Sequence, residues 1–187
     1  MTAPAHLEAL RRALSSNAPK RYDVGKRAAV LVPFHPGPDG LQLLFMKRPD
    51  DSRAHPGQVS FPGGGIEVSD VSEHAAALRE ANEELGVIPA DVRIVGQLDD
   101  VVTGTGYTVT PVVGVLERMP ALQPNPKEVA DWFWFPFSRF FDGGWRGMDI
   151  TREGQLYRVW FYDGAPHTIW GATAAMVRQM VDLVEGA

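Results

Sequence analysis

The chain has 187 residues, 44% of them hydrophobic, and 18 Lys and Arg against 23 Asp and Glu give a net charge of −5. That length suits one sizeable core and is short for two domains, and the absence of cysteine excludes disulfides and thiolate catalysis. The acidic balance offers no basic footprint for long nucleic acid. No signal-peptide pattern opens the chain, and no apolar run reaches the ~20 residues a membrane helix needs, so the expected location is cytoplasmic, with no membrane partner.

In chain order, residues 6–15 read as a short amphipathic helix, followed by a polar link from Ser15 to Pro19. Ala28–Val32 and Leu41–Lys47 read as strands joined by the turn-rich run His35 to Gly40. Phe61-Pro62-Gly63-Gly64-Gly65 reads as a turn whose glycines permit close backbone approach to an ion or phosphate. Asp70, with Glu73 three residues on, has the pattern of a capping box; the alternative for Asp70 is a role in a site. The helix this opens ends at Gly86, a C′ residue. Apolar runs at Val92–Leu98, Val109–Leu116 and Trp132–Phe135 read as strands, as do residues 156–162. A last helix is expected from Gly171 to about Val184, with Met176, Met180 and Val184 in the core.

The chemistry concentrates in Arg79-Glu80-Ala81-Asn82-Glu83-Glu84. At 3.6 residues per turn, Glu80, Glu83 and Glu84 fall on one side of the helix, with Val71, Leu78, Ala81 and Leu85 opposite. A charged face is ordinarily just solvated. Here the like charges repel by about 0.2–0.5 kcal/mol per pair, and the last two oppose the helix dipole. A divalent cation would turn that repulsion into a ligand set, and hard oxygen donors select Mg²⁺ or Mn²⁺ over zinc.

These residues resemble the Nudix hydrolase box, G-x5-E-x7-R-E-U-x-E-E-x-G-U, where U is a bulky aliphatic residue. Gly64, Arg79, Glu80, Glu83, Glu84, Gly86 and Val87 match; Asp70 stands for the first Glu, eight residues rather than seven precede Arg79, and Ala81 is small for its position. Upstream, Arg53, Gly57, Phe61, Pro62, Gly63 and Gly64 fit R-x3-G-x3-F-P-G-G, which, with the Asp at the box's first acid, is similar to the subgroup that hydrolyses coenzyme A. The resemblance implies an α/β/α sandwich around a mixed β-sheet, here one domain over residues 1–187 with a helical extension at 1–27 and the core at 28–187.

It further implies metal-dependent hydrolysis of a diphosphate bond. Glu80 and Glu84 are the first choices as metal ligands, Glu83 is a third ligand or the acceptor of the water's proton, and the Gly64 carbonyl completes the set. Arg79 orients a carboxylate, or is a surface ion pair. Outside the box Glu128 is the best candidate base, ahead of Glu117 and Asp99-Asp100. Arg53 is the candidate phosphate contact, with Gly57 and Asp70 beside it in the substrate set and Lys47, Arg48 and His55 behind it. Trp160, Tyr162 and Trp170 either pack on adenine or belong to the core. Three readings stand: a coenzyme A diphosphatase, a broader ADP-ribose or nucleotide-sugar pyrophosphatase, and a non-catalytic nucleotide-binding module.

Overall fold

The computed structural model describes residues 3–16, 18–37, 40–52, 55–152 and 154–186. Its elements are α1 (Ala3–Ser16), β1 (Lys26–Gly37), β2 (Gly40–Lys47), β3 (Val59–Ser60), β4 (Gly63–Gly65) and α2 (Glu73–Leu85). There follow β5 (Val92–Gln97), β6 (Val101–Val102), β7 (Tyr107–Leu116), β8 (Asp131–Pro136), β9 (Trp145–Arg152), β10 (Gln155–Tyr162), β11 (Ile169–Trp170) and α3 (Gly171–Glu185). Short 3₁₀ segments lie at Pro89–Asp91 and Phe137–Phe141.

β1 is the spine of the main sheet. It runs parallel to β7 from Lys26↔Tyr107 to Phe34↔Val115, and on its other edge pairs antiparallel with β4 at Ala28–Val30 and with β2 from Phe34↔Leu43 onward. β2 carries β3 and β8, and β7 carries β5 and β6, giving a mixed sheet of eight strands. A strand sends successive side chains to opposite faces, so the nearly unbroken apolar sequences of β1, β2 and β7 require cover on both. Ala29, Leu31, Leu44, Met46, Val112 and Leu116 pack with Ala76, Ala77, Ala81 and Leu85 of α2. Val32, Phe34, Leu43, Phe45, Val113 and Val115 pack on the other side with Leu10 of α1 and Met176, Val177, Met180 and Val184 of α3. The architecture is the expected α/β/α sandwich. A small antiparallel sheet, β9-β10-β11, is fastened through Trp145 and Tyr162, whose rings meet Phe140.

Three local expectations are corrected. The glycine run at 63–65 is a strand, because Gly63 can lie where a Cβ would stand 2.4 Å from the Ala29 carbonyl oxygen. β1 continues through Pro36 to Gly37, so the predicted turn from His35 is shorter, closed by the Gly37↔Gly40 pair. Val71 precedes the helix and is 92% exposed, outside the buried stripe assigned to it. Among the described residues no helix is long and apolar enough to cross a membrane.

Candidate active site

α2 begins after Ser72, whose hydroxyl accepts a hydrogen bond from the Ala75 N–H at 3.1 Å. Ser72, not Asp70, is therefore the N-cap, and Glu73 is the first helical residue. The helix stops at Gly86, where φ is 71° and the N–H reaches back to the Ala81 and Asn82 carbonyls.

With its ends fixed, the helix presents its acids to β4 in three different environments. Glu83 is exposed and Glu80 is half-buried, but Glu84 is 1% exposed and lies on the same side as Ala77, Ala81 and Leu85. A helical wheel places all three toward solvent; the structure corrects this, because β4 folds over the helix's inner flank. The Gly63 N–H donates to Glu84 Oε2 at 2.8 Å, and Arg48 Nη2 lies 3.4 Å from Glu84 Oε1. A Cβ built on Gly64 would stand 2.6 Å from the Glu80 carboxylate. Glycine at 64 is thus the space in which Glu80 sits.

The electrostatics follow from this burial. Desolvation raises the Glu84 pKa to about 8; the Gly63 N–H and Arg48 oppose the rise, while Glu80 and Glu128 add to it. Glu80 is also raised, by burial first and then by Glu83 and Glu128, against the pull of Arg79. Glu128 therefore belongs to the same acidic neighbourhood. Its carboxylate accepts from Asn125 Nδ2 at 3.3 Å, and the Asn125 N–H donates to the Glu84 carbonyl at 2.8 Å, tying this loop to the end of α2.

Arg79 organises the outer side. Its Nε and Nη2 donate to the two oxygens of Asp70 at 3.1 and 3.0 Å, while Nη1 donates to Glu80 at 2.9 Å and Glu83 at 3.2 Å. A further bond from Nη2 reaches the Gly65 carbonyl at 3.1 Å. Arg79 and the Glu67 N–H hold the Asp70 carboxyl below its ordinary pKa. The extra residue before Arg79 is absorbed in the loop, and Asp70 reaches the guanidinium rather than the helix end.

The remaining predicted residues fall at varied distances from this cluster. Arg53 lies outside the described residues. Gly57 occupies a left-handed turn with φ 66°, where a Cβ would strike the Asp50 carboxylate, itself held by Lys47 Nζ at 2.8 Å. His55 is in the same turn with φ 55°. Glu117 is exposed and paired with Arg93, and Asp99 accepts the Lys20 N–H. Asp100 is buried against Arg21, Arg27, Thr110 and the Tyr22 N–H, leaving it no access to a reacting water. Tyr162 is in the core, whereas Trp170 is partly exposed and stacks on Phe161. Sequence reasoning missed the Arg48 partnership with Glu84; its signal was an Arg one residue beyond a buried strand.

The carboxylate oxygens of Glu80, Glu83 and Glu84 are hard donors that suit a divalent cation, and positive charge brought to Glu84 would oppose the rise that burial imposes on its pKa. Among the described residues no three acidic or histidine side chains converge into a finished metal cage, since Arg79 draws Glu80 and Glu83 onto itself.

A layered α/β fold with a helix-borne carboxylate cluster under a glycine strand places the chain among the Nudix-type hydrolases. The model of the NUDIX domain matches residues 25–158, and the chain belongs to the Nudix family. It is 41% identical over 169 residues to the uncharacterized Nudix hydrolase NudL of Photorhabdus laumondii, covering 89% of this chain and 90% of that one. The NudL of Escherichia coli K12 is 39% identical over 158 residues, 83% of this chain and 81% of the relative. Among solved structures, the Nudix hydrolase RenU from M. smegmatis superposes with a TM-score of 0.53 at 25% identity, over 63% of this chain and 74% of that chain. DR0079 from Deinococcus radiodurans does so at 0.54 and 17% identity, over 83% and 82%.

Proposed function

We propose that this Nudix hydrolase cleaves the diphosphate bond of coenzyme A or its derivatives, giving 3′,5′-ADP and 4′-phosphopantetheine. One observation carries the reading: the segment from Gly57 to Gly64, which bears the coenzyme A-type G-x3-F-P-G-G run, is also the segment whose backbone cradles Glu80 and Glu84. Whatever that loop grips is thereby presented to the carboxylates. Arg53, at the head of the motif, holds the 3′-phosphate in this reading.

Glu80, Glu84, Glu83 and the Gly64 carbonyl would hold Mg²⁺ or Mn²⁺, which when bound supplies charge neutralisation on the diphosphate and acidifies a coordinated water. Glu128 accepts the proton of the attacking water, with Glu83 the second acceptor. The water oxygen bonds to phosphorus as the bridging P–O bond breaks, and the displaced phosphate carries the leaving charge. Arg79 touches no reacting atom; fastened to Asp70, it fixes where Glu80 and Glu83 stand.

The test is chromatography of products after incubation with Mg²⁺ or Mn²⁺ and, separately, coenzyme A, ADP-ribose and NADH, with Glu84→Gln as control. Release of 3′,5′-ADP from coenzyme A, lost in the control, is the expected result. Faster cleavage of ADP-ribose would move the assignment to the broader class, and binding without turnover of any of the three would favour the non-catalytic module.

A further inference from the structure

The sheet face that α2 covers extends past the carboxylates toward β3 and β8. Register aligns three residues across this extension: Met46 pairs with Ser60 of β3 on one side and with Trp132 of β8 on the other. Directly paired residues share a face, and Met46 and Leu44 lie in the core beneath α2, with Trp134 packed against it. Ser60 and Trp132 therefore flank Met46 on the catalytic side of the sheet. The next β2-side position on this face is Arg48, the partner of Glu84.

Two members of this row are unusual. The Ser60 hydroxyl is buried and, among the described residues, is the side-chain polar atom left with no hydrogen-bond partner. Buried polar groups are overwhelmingly paired, so an orphan beside a site marks a place where something else donates or accepts. Trp132 is 38% exposed, although its neighbours Phe133, Trp134 and Phe135 turn progressively inward. It follows within four residues of Glu128, whose charge is felt at Glu80 and Glu84. An open indole, an unpaired hydroxyl and a guanidinium thus share one face with the carboxylates.

We propose that Ser60 and Trp132 form the nucleoside subsite, with the Trp132 ring stacking on the purine base and the Ser60 hydroxyl hydrogen-bonding the bound nucleotide. Stacking on an indole accepts any planar base, while a single hydroxyl between base and diphosphate adds orientation. The ligand class is a nucleotide. The choice of adenine among the bases rests on the proposed diphosphatase reading.

Calorimetry on the full chain with Mg²⁺ tests it, using adenosine 3′,5′-bisphosphate and AMP as probes and inorganic pyrophosphate and ribose 5-phosphate as base-free controls. Trp132→Ala should weaken both adenine nucleotides by about tenfold or more and leave the base-free controls within twofold, while Trp132→Phe restores most of the affinity. Ser60→Ala should weaken the nucleotides several-fold without lowering the thermal midpoint. In turnover, Trp132→Ala should raise KM by more than it lowers kcat. Equal affinity of wild type and Trp132→Ala for both nucleotides would overturn the subsite, even if coenzyme A is cleaved. Trp132-dependent nucleotide binding with no cleavage of coenzyme A would uphold the subsite while removing the coenzyme A assignment.

Discussion

Glu84 is the residue on which burial and charge conflict most. In the folded, metal-free chain its pKa is raised from 4.5 to about 8, so the folded state binds this proton more tightly than the unfolded state. Its protonated form contributes stability fully below about pH 4.5, and that contribution is lost as pH rises toward 8. Melting in a chelator should therefore show wild type losing stability between pH 5 and 8 relative to Glu84→Gln, which cannot titrate. Mg²⁺ should reverse the wild-type loss and leave Glu84→Gln unmoved. Gly64→Ala tests the neighbouring acid. The clash at 2.6 Å is with the mobile end of Glu80, so the fold should survive by circular dichroism while Glu80 is displaced and activity falls by about 10²-fold or more. Glu128→Gln should cost about 10²–10⁴ in kcat if it is the base, with KM little changed. That Glu80, Glu83 and Glu84 share α2 as one acidic cluster was legible from spacing, and that Arg79 reaches a carboxylate followed from the resemblance. The burial of Glu84 was not, because a helical wheel contains no β4. Nor was the role of Asp70, since its pairing with Arg79 depends on how the intervening loop closes.

At the scale of elements, α2 is held by one cap at each end and by the Asp70 fork outside them. Ser72→Ala removes the hydroxyl that accepts the Ala75 N–H and should lower stability by about 0.5–2 kcal/mol in urea denaturation, with activity retained at low denaturant. Asp70→Ala acts differently: it leaves the cap intact and releases Arg79 to bind Glu80 and Glu83 without competition. Its expected effect is a roughly 10–100-fold higher Mg²⁺ concentration for half-maximal activity, read from a metal titration. The strands of the main sheet were readable because continuous apolar runs allow little else. β9 was not read, since Trp145–Arg152 interleaves Gly147, Asp149 and two arginines, and its pairing with β10 supplies the regularity its own sequence lacks. β4 escaped for the opposite reason: glycine usually weakens a strand, and here its lack of a side chain is what admits the pairing with β1 and the approach to Glu80.

Across the whole molecule, the segment at residues 18–25 is tied to the sheet through Asp100. Its side chain accepts from Arg21 at 2.9 Å, Arg27 at 3.1 Å, Thr110 at 2.7 Å and the Tyr22 N–H at 3.0 Å. Burial alone would raise the Asp100 pKa, but these donors together hold it below 3.8. A depressed acid contributes stability above its unfolded value and loses it as pH falls through the folded one, the reverse of Glu84. Metal-free protein should thus lose stability on the acid side through Asp100, together with the depressed Asp70, and on the alkaline side through Glu84, together with the raised Glu80. Asp100→Asn should cost about 1–3 kcal/mol at neutral pH, because two guanidinium groups lose their charge partner, and should make the acid limb shallower. Arg27 also lies 3.6 Å from Glu73 at the start of α2, so the same substitution reaches that helix through one side chain. Denaturation across pH 3–9, with and without Mg²⁺, separates the two limbs: Asp100→Asn lessens the first, Glu84→Gln lessens the second, and Mg²⁺ lessens the second in wild type. A metal-free wild type whose stability rose steadily from pH 5 to 8 would contradict the buried, proton-holding Glu84 on which this balance depends.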